Sequence, residues 1–120
     1  MTSKIQIYSY ASCSTCRKAL KWLSEKKISY ALIDIVESPP GKEILRNALD
    51  QLGNRKFLFN TSGVSYRALG AEVVKSMSDE DALEALASDG KLIKRPFVIS
   101  NTGKILVGFK QEAWDESFIC

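Results

Sequence analysis

The first 36 residues constrain the fold more than any other stretch. Residues 4–10 form an apolar run containing Ile5, Ile7 and Tyr8, with the length and character of a buried strand. From Cys16 the period changes. Cys16, Ala19, Leu20 and Leu23 fall on one helical face, while Arg17, Lys18, Lys21 and Glu25 lie off it. Residues 30–36 (YALIDIV) return to strand character. Parallel neighbours need a long crossover, usually a helix, so strand–helix–strand here predicts a parallel βαβ unit.

Pro39-Pro40 then punctuates the chain. Ile44, Leu45, Ala48, Leu49 and Leu52 mark an amphipathic helix that Gly53 stops. Residues 54–77 carry weaker signals, with short helical pieces expected around Phe57 and over residues 65–69. Ser78 followed by Asp79, Glu80 and Asp81 is a strong helix start, since the hydroxyl caps and the acids suit the dipole. That helix should run through Leu83 and Leu86 to near Gly90. Residues 97–99 and 105–107 flank Asn101-Thr102-Gly103 and predict a β-hairpin, and residues 112–118 a last short helix. The order βαβ, helical block, ββα specifies an α/β fold. We expect a thioredoxin-like four-stranded mixed sheet with a helical insertion at roughly residues 38–92, in a single domain spanning residues 1–120. A chain of 120 residues is long enough to bury its own core.

Composition excludes several function classes. With 45% hydrophobic and 26% charged residues the chain is an ordinary globular sequence, not a disordered one. A net charge of +3, without a basic arm, argues against direct nucleic-acid binding. No stretch approaches the ~20 apolar residues of a membrane span, so no membrane partner is expected. Met1-Thr2-Ser3-Lys4 leads straight into the first strand without a signal-peptide core, so the expected compartment is cytoplasmic, where thiols stay reduced. Three cysteines are an odd count and do not suit a disulfide framework. There is no histidine, which excludes Ser-His-Asp and Cys-His catalysis and removes the commonest metal ligand. A zinc site would need four ligands, so no metal is expected.

The chemistry should lie in Cys13-Ser14-Thr15-Cys16, where the first strand turns into the first helix. Unpaired backbone N–H groups and the positive end of the helix dipole point at Cys13 there, which favours a thiolate. Arg17 and Lys18 add positive potential. Cys16 lies one turn later on the apolar face and should be shielded. An exposed nucleophile followed by a buried resolving thiol is the division of labour in dithiol oxidoreductases. The alternative is that both are plain core cysteines, which for Cys16 alone would be the better reading. Arg95-Pro96 enters the penultimate strand. In a thioredoxin-like layout such a proline is often cis and faces the redox cysteine; otherwise it merely begins a strand. Arg95 is either an anion ligand beside Cys13 or a surface arginine. Cys120 is a third redox thiol or an accidental terminal cysteine, and we expect the latter. Trp22, Phe57, Phe59 and Phe109 are expected in the core. Arg17, Lys18, Lys21, Lys26 and Lys27 are expected to form a solvated helix face.

Taken together, Tyr8, then Cys13-Ser14-Thr15-Cys16-Arg17-Lys18-Ala19, Ile33-Asp34-Ile35, Pro39-Pro40, Lys94-Arg95-Pro96 and Val107-Gly108-Phe109 resemble the ArsC/Spx/YffB family, whose fold is thioredoxin-like with a helical insertion. The resemblance covers nearly the whole chain and implies different functions in different branches. In the glutaredoxin-coupled arsenate reductases the catalytic cysteine corresponds to Cys13 and the arginine after it to Arg17, while Cys16 replaces a serine. Of three further oxyanion-binding arginines, Arg95 matches one. The other two positions hold Phe59 or Asn60, and Gly108. An arsenate-like dianion wants several positive donors, so the resemblance implies thiol–disulfide chemistry more than arsenate reduction itself. In the Spx branch the paired cysteines are a redox switch in a regulator that binds the RNA polymerase alpha subunit, and Gly53 falls where that branch uses a glycine at the contact. Gly53 is also a plain helix C-cap, the better reading on physical grounds alone. Residues 59–67 (FNTSGVSYR) are closer to the YffB-like branch. Two functions follow. One is an arsenate reductase-like thiol–disulfide enzyme with Cys13 as nucleophile, Cys16 as resolving thiol, and Arg17, Arg95 and Pro96 at the substrate. Its expected partner is a small thiol or redox protein, with glutathione or thioredoxin/glutaredoxin as reductant and no bound cofactor. The other is a Spx-type redox-sensing regulator.

Overall fold

The computed structural model describes residues 5–118, with the side chain of Phe118 left aside; Cys120 lies outside these residues. Contacts divide the chain into two compact units, one built from residues before and including Asp34 and from Arg95 onward, the other being Ile35–Lys94.

The first unit carries the sheet. Strand β1 (Ile5–Ser9) is followed by helix α1 (Ser14–Glu25) and strand β2 (Tyr30–Asp34). β1 and β2 are parallel, with Ile5 opposite Tyr30 and Ser9 opposite Asp34. The expected βαβ unit is therefore present, with its second strand two residues shorter than the apolar run. Strands β3 (Phe97–Ile99) and β4 (Ile105–Val107) form the hairpin. β3 pairs antiparallel with β1 through Tyr8↔Phe97, giving a mixed four-stranded sheet in the order β2-β1-β3-β4. This is the α/β, thioredoxin-like sheet that the element order predicts. Ile5, Ile7, Ala19, Leu23 and Val98 pack with Trp22 and Trp114 into one core cluster. Trp114 comes from the last helix, Gln111–Phe118. Its ring meets Trp22 edge-on at 5.7 Å and Phe109 at 4.9 Å. Such aromatic pairs add about 0.5–1.5 kcal/mol each beyond their buried area, which ties α1 to the end of the chain.

The second unit is helical. Helix α2 (Lys42–Leu52) ends at Gly53, whose φ of 83° is the left-handed C-cap that glycine adopts without strain. A 3-10 turn follows at Arg55–Phe57. Helix α3 (Val64–Leu69) falls near the expected piece, and helix α4 (Ala71–Ser76) is one the sequence pattern does not announce. Helix α5 (Asp79–Ser88) starts where Ser78 predicts. The last helix of the chain is accordingly α6. Phe57 departs from the core expectation: at 43% exposure it stays on the 3-10 turn, with the Lys56 ammonium 5.3 Å from its ring centre. Trp22 and Phe59 are buried, and Phe109 is half-buried against the core cluster. Gly90 follows α5 because nothing larger fits. A Cβ there would stand 1.8 Å from the Ile35 carbonyl oxygen. No described helix is long and apolar enough to cross a membrane.

Candidate active site

The site is built at the corner between β1 and α1. Buried β1 residues deliver the chain to Tyr10, and a turn closes where the Cys13 N–H donates to the Tyr10 carbonyl at 3.0 Å. Cys13 is then the N-cap of α1, with φ −89° and ψ 115°. Its sulfur accepts the Cys16 backbone N–H at 3.3 Å. An N-cap residue normally satisfies an orphan helix N–H with an oxygen. Here a sulfur does so, and the same N–H stabilises a thiolate. No acidic residue occupies the first turn of α1, so the positive end of the dipole is left for the sulfur.

Arg95 arrives from the other side. Tyr8↔Phe97 is the last pair between β1 and β3, and Arg95-Pro96 immediately precedes Phe97. The Arg95–Pro96 peptide bond is cis, and Pro96 is buried. The guanidinium lies over the Tyr10 ring at 5.0 Å and hydrogen-bonds the Cys13 sulfur. Partial burial on its own would raise the Cys13 thiol. Hydrogen bonds from the Cys16 thiol and Cys16 N–H, with the hydrogen bond and charge of Arg95, outweigh it and hold Cys13 below the ordinary thiol range.

Cys16 has the opposite character. It is fully buried at the third position of α1. Burial comes first in pushing its thiol up to about 11; donation to Cys13 and the nearby Cys13 charge push the same way. A backbone hydrogen bond from Tyr10 and a side-chain hydrogen bond from Ser9 oppose them. Both cysteines are free thiols. One is therefore half-exposed and biased to thiolate, the other buried and biased to thiol.

Of the residues singled out by sequence, Cys13, Cys16, Arg95 and Pro96 belong to this corner. Arg17 follows it in the first turn, but its exposed guanidinium donates to the Ala11 carbonyl at 2.9 Å. The interactions that lower the Cys13 thiol come instead from Cys16 and Arg95. Gly53 belongs to the second unit, where it caps α2. Sequence reasoning passed over Ser9 and Tyr10. The available signal was a hydroxyl closing an otherwise apolar strand and an aromatic three residues ahead of Cys13. Among the described residues, no group of three or more Cys, Asp or Glu side chains converges as a metal site.

A family model described as the ArsC family matches residues 8–117. The chain belongs to the ArsC family. The uncharacterized protein YusI of Bacillus subtilis is 44% identical over 116 residues, covering 95% of this chain and 98% of that protein. The crystal structure of a possible arsenate reductase from Streptococcus mutans matches with a TM-score of 0.88 at 41% identity, covering 97% of this chain and 99% of that one. The global transcriptional regulator Spx of Streptococcus agalactiae is 26% identical over 109 residues, covering 90% of this chain and 78% of the regulator. The thiol redox fold of the ArsC family is thus shared with a structure described as a possible arsenate reductase and with a relative named as a transcriptional regulator.

Proposed function

We propose that this ArsC-family chain is a dithiol redox protein of the cytoplasm in which the Cys13 thiolate attacks an oxidised sulfur and Cys16 resolves the intermediate. The observation that carries this reading is the inequality of the two thiols: Cys13 caps α1 and is held below the ordinary range, while Cys16 is buried and held above it. A dithiol exchanger needs that order, since the low thiol attacks and the shielded one waits. Glutathione, thioredoxin or glutaredoxin would then reduce the Cys13–Cys16 disulfide. Arg95 would hold the anionic group of the substrate, and Arg17 would lie at the rim.

Arsenate is the weaker substrate on this reading. At Gly108, where the arsenate-reducing branch carries an arginine, the backbone has φ 72°, which disfavours any side chain. The Gly108 N–H and carbonyl are tied to the Pro96 carbonyl at 2.9 Å and the Trp114 indole N–H at 3.2 Å. Arg95 is then left with fewer companions than an oxyanion dianion calls for.

The test is a turnover assay with organic disulfides and with arsenate, driven by glutathione–glutaredoxin or by thioredoxin. Disulfide turnover should be abolished in Cys13→Ser, and Cys16→Ser should trap a mixed disulfide on Cys13. No turnover with any donor, together with an ordinary Cys13 titration, would overturn the proposal.

A second reading rests on the Spx relative and its paired cysteines: oxidation of Cys13 and Cys16 would switch binding to the RNA polymerase alpha subunit. Retention of the alpha C-terminal domain by one redox state supports it, and retention by neither rules it out.

A further inference from the structure

Among the described residues, two polar side chains are buried with the apolar core, Ser9 at 7% exposure and Ser100 at 6%. Ser100 is explained by the hairpin. Its oxygen accepts the backbone N–H groups of Thr102 at 3.2 Å and Lys104 at 3.0 Å, and pairs with the Thr102 hydroxyl at 2.9 Å. Ser9 serves no turn. It is the last residue of β1, and its side chain hydrogen-bonds Cys16, whose sulfur also has the Tyr10 backbone as partner. Burying a hydroxyl is costly unless it is bonded, and this one is bonded to the thiol that the first redox step does not use.

We propose that Ser9 is a positioning residue for the resolving step: its hydroxyl, with the Tyr10 N–H, forms a donor pair that receives the Cys16 thiolate as it attacks Cys13. The inference rests on the dithiol reading above.

With an organic disulfide as oxidant, the Cys13 thiolate attacks one sulfur and forms a mixed disulfide. The first leaving thiolate takes up a proton. Cys16 then loses its proton and attacks the Cys13 sulfur. A Cys13–Cys16 bond forms, the mixed disulfide breaks, and a second thiol leaves. The two cysteines give up two electrons and the organic disulfide accepts two. Before the first step, the Cys16 thiol donates to the Cys13 sulfur, whose charge keeps the proton on Cys16. That charge vanishes once Cys13 is in the mixed disulfide. The donors from Ser9 and Tyr10 remain, so Cys16 becomes easier to ionise when its attack is needed. Without them a buried thiolate would have little to replace its water.

The test uses an aromatic disulfide whose released thiolate absorbs visible light, mixed rapidly with the reduced chain carrying Cys120→Ser, which leaves Cys13 and Cys16 as its thiols and is the reference for every variant below. This reference should release two equivalents in two phases, one from Cys13 attack and one from Cys16 resolution. Ser9→Ala should keep the first phase, which also reports an intact fold, and slow the second by about tenfold, the effect of losing one hydrogen bond to a charged group. Ser9→Thr, which keeps the hydroxyl, should restore it. In a Cys13→Ser background the Cys16 titration should move upward in Ser9→Ala. A second phase as fast as in the reference, or both phases slowed alike, would overturn the role of Ser9. Release of one equivalent only by the reference would instead remove the dithiol reading, and Ser9's role with it.

Discussion

Two helices in this molecule begin in the same way and are used differently. At the start of α1, Cys13 accepts the third N–H at 3.3 Å; at the start of α5, Ser78 accepts its third N–H at 3.1 Å. The first turn of α5 holds Asp79, Glu80 and Asp81, whereas that of α1 holds no acid. The acids of α5 are answered in turn. Lys42 and Arg46 both pair with Glu80, and the hydrogen bond from Lys42, then that from Arg46, hold its carboxyl at about 2. Arg55 reaches Asp79 at 3.3 Å and donates to the carbonyls of Val74, Lys75 and Met77 that end α4. The positive end of α5 is thus neutralised to stabilise the helical unit. The positive end of α1 is left open for a sulfur. The same capping geometry makes structure in one place and chemistry in the other, and the first-turn residues decide which.

The largest effect should come from removing the partner charge at α1. In Arg95→Leu the Cys13 thiolate population at neutral pH should fall by about tenfold or more, since an adjacent opposite charge is worth one to three pKa units. The alkylation rate of Cys13 across pH checks this. Linkage supplies a second readout. The folded Cys13 value lies below the unfolded one, so the unfolded chain binds more protons in the window between them. Stability of the reduced protein therefore rises with pH through that window and is lost as pH falls through the folded value. Denaturant titrations should show a flatter rise in Arg95→Leu.

A smaller effect is expected at α5. Ser78→Ala should cost about 1 kcal/mol of stability in denaturant unfolding, with Cys13 reactivity unchanged. Placing an acid in the open turn, as in Ser14→Glu, should lower the Cys13 thiolate population about threefold by opposing the sulfur's charge. Iodoacetamide kinetics at fixed pH would read it. Smallest of all should be the gain from a transplanted sulfur. In Ser78→Cys the new thiol occupies an equivalent cap, yet beside three acids it should titrate no lower than an ordinary thiol. A value as low as that of Cys13 would show that the cap alone suffices and that first-turn charge is immaterial.

Much of this was legible in the chain. The period change at Cys16, the acids after Ser78 and the turn residues between β3 and β4 each act through neighbours close in sequence. The unequal cysteines were legible too, because the helix start sets their environments. The family resemblance singles out Arg95, although it lies 82 residues after Cys13 in the numbering and only the pairing of β3 with β1 brings it to the sulfur. Three features were not legible. Arg17 stands next to the site in sequence, but its side chain turns back to the Ala11 carbonyl. Ser9 reads as one more strand residue until the packing of α1 puts Cys16 against it. Helix α4 was missed because Gly70, at φ 97°, separates two six-residue helices with little apolar period of their own.

The central claim is that Cys13 and Cys16 are unequal because one caps α1 and the other is buried beneath it. The most direct measurement is the pH dependence of alkylation of the reduced protein, with each cysteine followed by mass. The account predicts that Cys13 is modified first, with a midpoint below the ordinary thiol value of about 8.5, and that in molecules whose Cys13 is still free Cys16 stays protected until the pH approaches about 11. Modification of Cys16 together with or before Cys13, or a Cys13 midpoint at or above the ordinary value, would contradict it.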